Sequence, residues 1–228
     1  MVNQVFCLTV YVAMKTHYLK VEKTARYCTL GELNEHTRTI WMVCHGYGQL
    51  APYFIEKFRV LDDGNTFIIA PEALSRFYLE GFSGRVGATW MTKEERESDI
   101  ADYVEYLEKL YNELTHGFDT TPLKLNILGF SQGVATVCRW AVSKKKDFNK
   151  LVLWAGIFPP DLNTDFQFSM EAFQKKEVYV VYGARDPLLK EEHKKEIKVL
   201  GSRFTNLKVV IFNGKHELNE QVLKTLHQ

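Results

Sequence analysis

Cysteine pairs, metal-binding motifs, net charge and long apolar runs are all missing from this sequence, and each absence removes a class of function. Its 228 residues hold four cysteines, Cys7, Cys28, Cys44 and Cys138, and no two form a C-x-x-C pair. Such spacing excludes a disulfide frame and a zinc ribbon; the thiols read as small buried hydrophobes in a reducing, cytoplasmic compartment. No H-E-x-x-H occurs, so neither a metal nor any other cofactor is called for. The formal net charge is +1, which points away from nucleic acid or a polyanionic partner. The dense basic cluster Lys144, Lys145 and Lys146 reads as a solvated helix end, favoured by the helix dipole. The apolar run at residues 5–14 is too short to span a bilayer. It lacks a preceding Lys or Arg and a clear small-residue cleavage site, so it is read as an added strand or helix, with a degenerate secretory signal as the alternative.

What is present is ordinary in bulk and specific in detail. A hydrophobic content of 46% and a charged content of 25% suit a soluble globular chain. There is no repeat, linker or low-complexity stretch. We expect one α/β domain over residues 1–228, with residues 1–15 as a candidate N-terminal extension. Residues 20–30 are rich in β-formers and suggest an initial antiparallel pair. Short apolar runs follow at 40–44, 67–70, 123–128, 151–155, 178–182 and 207–212. All but 123–128 are apolar at consecutive positions, as strands buried on both faces of a parallel sheet are.

Helical signals fill the gaps. Pro52 suits the first turn of a helix running to Phe58. Thr92 and Glu95 read as a capping box before a long helix to Leu114, with Ile100, Val104, Leu107 and Tyr111 as its apolar stripe. Residues 134–142, 188–200 and 217–226 complete the set. The pattern predicts a doubly wound, mostly parallel sheet with helices on both faces. Residues 75–91 and 158–173 resist it: aromatic and rich in glycine or proline, they read as irregular loops at the ligand-binding end of the sheet.

The sharpest motif is Gly129-Phe130-Ser131-Gln132-Gly133, between a strand and a helix. In that context G-x-S-x-G forms a nucleophile elbow, with the serine on a strained turn and glycines where side chains would crowd the backbone. A serine hydroxyl needs a base, and the base needs a carboxylate to orient it. In the chain order serine, acid, histidine, Asp186 is the acid candidate, in a turn after the strand at 178–182. Asp161 and Asp165 are rivals one strand too early, and an N-cap before Pro187 is the structural alternative for Asp186. Of the seven histidines, three follow Asp186. His193 sits on an exposed charged face and His227 is expected to fray. His216, in the loop after 207–212, is the candidate base.

An oxyanion needs backbone donors. The Gln132 N–H at the start of the elbow helix is one candidate, and the Tyr47 N–H in His45-Gly46-Tyr47-Gly48 is the other. The second stretch also fits G-x-G-x-x-A, with Glu72 past the next strand, so a dinucleotide site is an alternative for it; that reading leaves Ser131, Asp186 and His216 unexplained. Phe77, Phe82, Trp90 and Phe158 are candidates to line an apolar substrate pocket. Packing of the loops onto the domain is the equal alternative.

These motifs together resemble the phospholipase/carboxylesterase family of α/β-hydrolases, which includes the acyl-protein thioesterases. The resemblance rests on residues 44–48, 129–133, 183–187 and 216–217 and spans nearly the whole domain. It implies an α/β-hydrolase fold with Ser131 as nucleophile, Asp186 and His216 completing a triad, and Tyr47 and Gln132 as oxyanion donors. It also implies an aromatic loop at residues 89–91 facing the acyl site. Val134 departs from the usual glycine and Tyr47 from a commoner leucine. The expected activity is hydrolysis of a small-molecule carboxylic ester or thioester. A non-catalytic binding module and a serine peptidase are the alternatives, and the sequence leaves the oligomeric state open.

Overall fold

The computed structural model describes residues 13–163, 176–204 and 206–228. Its strands are β1 (Tyr27–Leu30), β2 (Thr39–Cys44), β3 (Thr66–Pro71), β4 (Ser75–Tyr78), β5 (Val86–Thr89), β6 (Lys124–Phe130), β7 (Lys150–Trp154), β8 (Glu177–Gly183) and β9 (Leu207–Phe212). Seven of them form one sheet in the order β1-β3-β2-β6-β7-β8-β9. All neighbours in it are parallel except β1 and β3.

Side chains alternate between two cores. Ile40, Met42, Cys44, Ile127, Leu151, Leu153 and Val180 face one, and Trp41, Val43, Leu128, Val152, Trp154 and Val181 face the other. Both faces are therefore covered, which is why consecutive strand positions are apolar. Helices α2 (Arg96–Thr115), α3 (Gln132–Ser143) and α4 (Glu191–Arg203) lie on the first face. The short α1 (Ala51–Ile55), its 3-10 continuation Glu56–Leu61 and α5 (Glu220–His227) cover the second. No described helix is long and apolar enough to cross a membrane.

Four expectations are corrected. Of residues 20–30 only Tyr27–Leu30 forms a strand, and its antiparallel partner is β3; Lys20, Glu22, Lys23 and Arg26 leave the earlier part no apolar face. Residues 75–91 are not irregular. They form an antiparallel hairpin of β4 and β5, with Gly81 and Gly84 at positive φ in its turn. The capping box is not made: Glu95 is left-handed at φ 50 and α2 starts after it, while the Thr92 N–H donates to Asp99 Oδ2 instead. His227 does not fray. Its Nδ1 accepts from Trp41 Nε1 at 3.2 Å and its Nε2 lies 3.3 Å from Asp63 Oδ2. The expectations for residues 5–12 and 164–173 fall outside the described residues.

Candidate active site

β2 and β6 end side by side, with Cys44 paired to Gly129. The winding reverses here, since β3 lies on one side of β2 and β6 on the other. Open α/β sheets bind ligands at such a crevice, at the carboxyl ends of the strands.

Ser131 sits at that edge as the N-cap of α3, with φ 54 and ψ −115. Few residues other than glycine hold such a conformation, and it persists only when the surroundings over-determine it. Here they do. The Ser131 N–H donates to the Trp154 carbonyl at 2.8 Å, and its own carbonyl accepts from Val134 N at 3.1 Å. A Cβ on Gly129 would overlap the Gly133 carbonyl, and one on Gly133 would overlap the Cys44 carbonyl. Gly156, which the sequence reading passed over, is a third such contact: its Cβ would lie 2.5 Å from the Ser131 carbonyl oxygen. Only its position just past β7 hints at this in the sequence.

Asp186 and His216 meet across the ends of β8 and β9. The loops that carry them are joined by backbone: Ala184 N donates to Phe212 O at 2.8 Å, and Arg185 N to Gly214 O at 2.9 Å. Asp186 is not an N-cap, because α4 begins at Glu191. Its carboxylate accepts from Leu188 N at 2.9 Å through Oδ1 and from His216 Nδ1 at 2.7 Å through Oδ2. The carboxylate side chain is 1% exposed and the imidazole 20%. A carboxylate only accepts, so Nδ1 carries the proton and Nε2 is the free ring nitrogen.

Ser131 Oγ makes no hydrogen bond to the described residues. Phe130 bridges the gap to the Asp186–His216 pair: its ring is 5.0 Å from the His216 ring, and a Cβ on Gly46 would lie 3.0 Å from Phe130 Cδ1 and 3.1 Å from Ser131 Cβ. Asp161 and His193 are occupied elsewhere, and Asp165 lies outside the described residues. Asp161 takes a two-bond grip from Arg139, at 2.8 and 2.7 Å, and that contact draws its carboxyl down to about 2. His193 accepts from Lys190 N at the start of α4.

The loop after β2 lies against the same edge. The N–H groups of Tyr47 and Gln132 make no hydrogen bond to the described residues. The Gln132 side chain is pinned, with its Nε2 donating to Met91 O at 2.9 Å and its Oε1 accepting from Trp90 N at 3.1 Å. Glu72 cannot serve a ribose. Burial works to raise its carboxyl, but hydrogen bonds from Arg26 and Arg76 outweigh this and hold it below the usual range. Its oxygens accept from both guanidinium groups and from Ala51 N.

The four candidate pocket aromatics scatter. Phe77 faces the Tyr47 ring at 5.1 Å and Phe82 is 97% exposed. Trp90 is 3% exposed, beside the His45 and Tyr103 rings. Phe158 packs on Phe204 and lines a separate cavity of about 290 Å³ with Leu153 and Ile197. The cavity that reaches His216 measures about 730 Å³ and is lined by Gln49, Tyr53, Lys57, Arg85 and Phe130 among others. No group of three or more His, Cys, Asp or Glu side chains among the described residues is placed to hold a metal ion.

A family model described as phospholipase/carboxylesterase matches residues 31–228. Among solved structures, acyl-protein thioesterase 2 of Zea mays aligns with a TM-score of 0.67 at 19% identity, covering 89% of this chain and 98% of its own. A phospholipase/carboxylesterase of Dyadobacter fermentans gives 0.61 at 15% identity, covering 90% and 96%. The carboxylesterase of Bacillus cereus gives 0.60 at 14% identity, covering 89% and 92%. At these identities the likeness is one of fold, the α/β-hydrolase fold. No curated protein matches the sequence.

Proposed function

The chain belongs to the phospholipase/carboxylesterase family, and from that premise we propose that it hydrolyses carboxylic esters or thioesters through an acyl-enzyme on Ser131. The observation that carries the reading is the 2.7 Å bond from His216 Nδ1 to buried Asp186, at the same sheet edge as a serine held at φ 54. With Nδ1 committed to the carboxylate, Nε2 is the basic nitrogen. It removes the Ser131 proton as Oγ attacks the acyl carbon. Asp186 fixes the tautomer and stabilises the imidazolium that forms. The tetrahedral oxyanion takes the N–H groups of Tyr47 and Gln132, each worth about 3 kcal/mol in the transition state. The imidazolium then protonates the departing alcohol or thiol. Water repeats the sequence on the acyl-enzyme and frees the acid.

The apolar part of the substrate is assigned to the rim that carries Phe77 and Phe82. Trp90 lies buried beside His45, and Phe158 marks the second cavity as a further place for an acyl or aryl group. Free thiols at Cys28, Cys44 and Cys138 support a reducing, cytoplasmic setting.

A fluorophosphonate probe tests the reading directly. Peptide mapping should place the adduct on Ser131, and p-nitrophenyl acetate should turn over until the adduct forms. Ligand binding without adduct or turnover would make the protein a non-catalytic module. Faster cleavage of matched amides would make it a peptidase.

A further inference from the structure

His45 stands next to the oxyanion loop, is fully buried, and has no part in the chemistry above. Both ring nitrogens are engaged. Nε2 accepts from the Ala73 N–H at 3.1 Å, so it carries no proton. Nδ1 lies 2.8 Å from the Gly46 carbonyl oxygen, which only accepts, so Nδ1 does carry one. The ring is thus neutral, in a single tautomer, and burial pushes its affinity for a second proton down. Trp90 and Phe54 hold the ring on two sides.

The Gly46 carbonyl and the Tyr47 N–H belong to one peptide unit. That unit is planar and trans, so its C=O and N–H point in opposite directions; no cis peptide occurs among the described residues. Holding the carbonyl toward His45 turns the Tyr47 N–H the other way, and that N–H has no partner among the described residues. The preceding peptide is held as well, because Gly46 N donates to Gln49 Oε1 at 2.8 Å. The tether continues behind His45. Ala73 directly follows Glu72, whose buried carboxylate binds Arg26, Arg76 and the Ala51 N–H at the start of α1.

We propose that His45 is a positioning residue that locks the 46–47 peptide, through its Nδ1–H and the Gly46 carbonyl, in the orientation that presents the Tyr47 N–H to the oxyanion. This rests on the reading of Tyr47 as an oxyanion donor. Without the lock the Gly46 carbonyl keeps only the longer turn bond from Gln49 N at 3.2 Å, the peptide is held less firmly, and part of the donor's contribution is lost only when charge develops on the substrate oxygen.

Two substitutions separate the lock from the tether. His45→Asn keeps an amide N–H close to the position of Nδ1 and removes the acceptor for Ala73. His45→Gln keeps an acceptor near Nε2 and removes the donor to Gly46. On p-nitrophenyl acetate, kcat of His45→Gln should fall by about tenfold or more, approaching the loss seen when an oxyanion donor is deleted, with KM within about twofold. Affinity for a trifluoromethyl ketone, which forms a tetrahedral oxyanion adduct, should fall in parallel. His45→Asn should retain most of kcat although it is the more perturbing change for Ala73. Equal losses in both variants, or a loss carried by KM, would overturn the proposal. A wild-type measurement needs no variant to fold: long-range proton–nitrogen NMR should report His45 as the neutral Nδ1–H tautomer, and an Nε2–H tautomer or an imidazolium would equally overturn it. Failure of the parent reading looks different, because an amide-to-ester replacement that removes the Tyr47 N–H would then leave kcat unchanged.

Discussion

Around Ser131 backbone meets backbone: Gly129, Gly133 and Gly156 each stand where a single added carbon would press into a neighbouring peptide. Around His216 side chains meet through hydrogen bonds, with Asp186 accepting from the imidazole and from Leu188 N. The two regions lie on the same sheet edge and are positioned by different physics. Steric positioning holds a strained φ in place and tolerates no extra volume. Hydrogen-bond positioning is graded, and it fails when donor and acceptor no longer match although the shape is kept. His45 belongs to the second kind although it sits in the first region.

Removing the proposed nucleophile is the largest test of this contrast. Ser131→Ala adds no volume, so the protein should fold as before while turnover of an activated ester falls by a factor on the order of 10^6. Near-normal turnover would remove Ser131 from the reaction. Next comes Asp186→Asn. The amide keeps the shape but presents the imidazole with the wrong match, and kcat should drop by about 10^4 with thermal stability little changed. A loss of stability as large as the loss of activity would mean that the pair holds the fold rather than the chemistry. Gly133→Ala should show the reverse. Its Cβ would lie 2.7 Å from the His45 carbonyl oxygen, and urea unfolding should reveal a loss of about 1–3 kcal/mol or more. A Gly133→Ala variant as stable as wild type would break the steric half of the comparison.

The smallest effect concerns a carboxylate outside the site. Hydrogen bonding from Arg139 lowers the Asp161 carboxyl to about 2 in the folded chain. A depressed carboxyl stabilises the fold above its unfolded titration near pH 4, about the ordinary aspartate value, and that contribution disappears as pH falls through the folded one. The difference in Tm between wild type and Asp161→Asn should therefore be widest above about pH 4 and shrink on further acidification. A gap independent of pH would sever the link to Arg139.

Strands β2, β3, β7 and β8 were legible because burial on both faces leaves apolar residues at consecutive positions, as in residues 40–44 and 178–182. The hairpin at β4 and β5 was not. Phe77, Phe82 and three glycines read as loop material, and only pairing with each other and the close approach of Gly87 to Gly48 make Ser75–Tyr78 and Val86–Thr89 strands. The capping box at Thr92 failed for a similar reason, since Asp99 reaches back to the Thr92 N–H and no local pattern signals that. His227 read as a fraying end because its partners Trp41 and Asp63 are far away in the sequence.

Residue type and order were enough to name Ser131, Asp186 and His216 as candidates, because a nucleophile elbow demands glycines at fixed offsets and an α/β chain delivers its loops in sequence. Which carboxylate is left to meet an imidazole depends on contacts in three dimensions. Asp161 is taken by Arg139, Glu72 by two arginines, and Asp186 alone of these meets an imidazole. Hydrogen bonds between distant segments carry no local signature, so only the folded chain decides them.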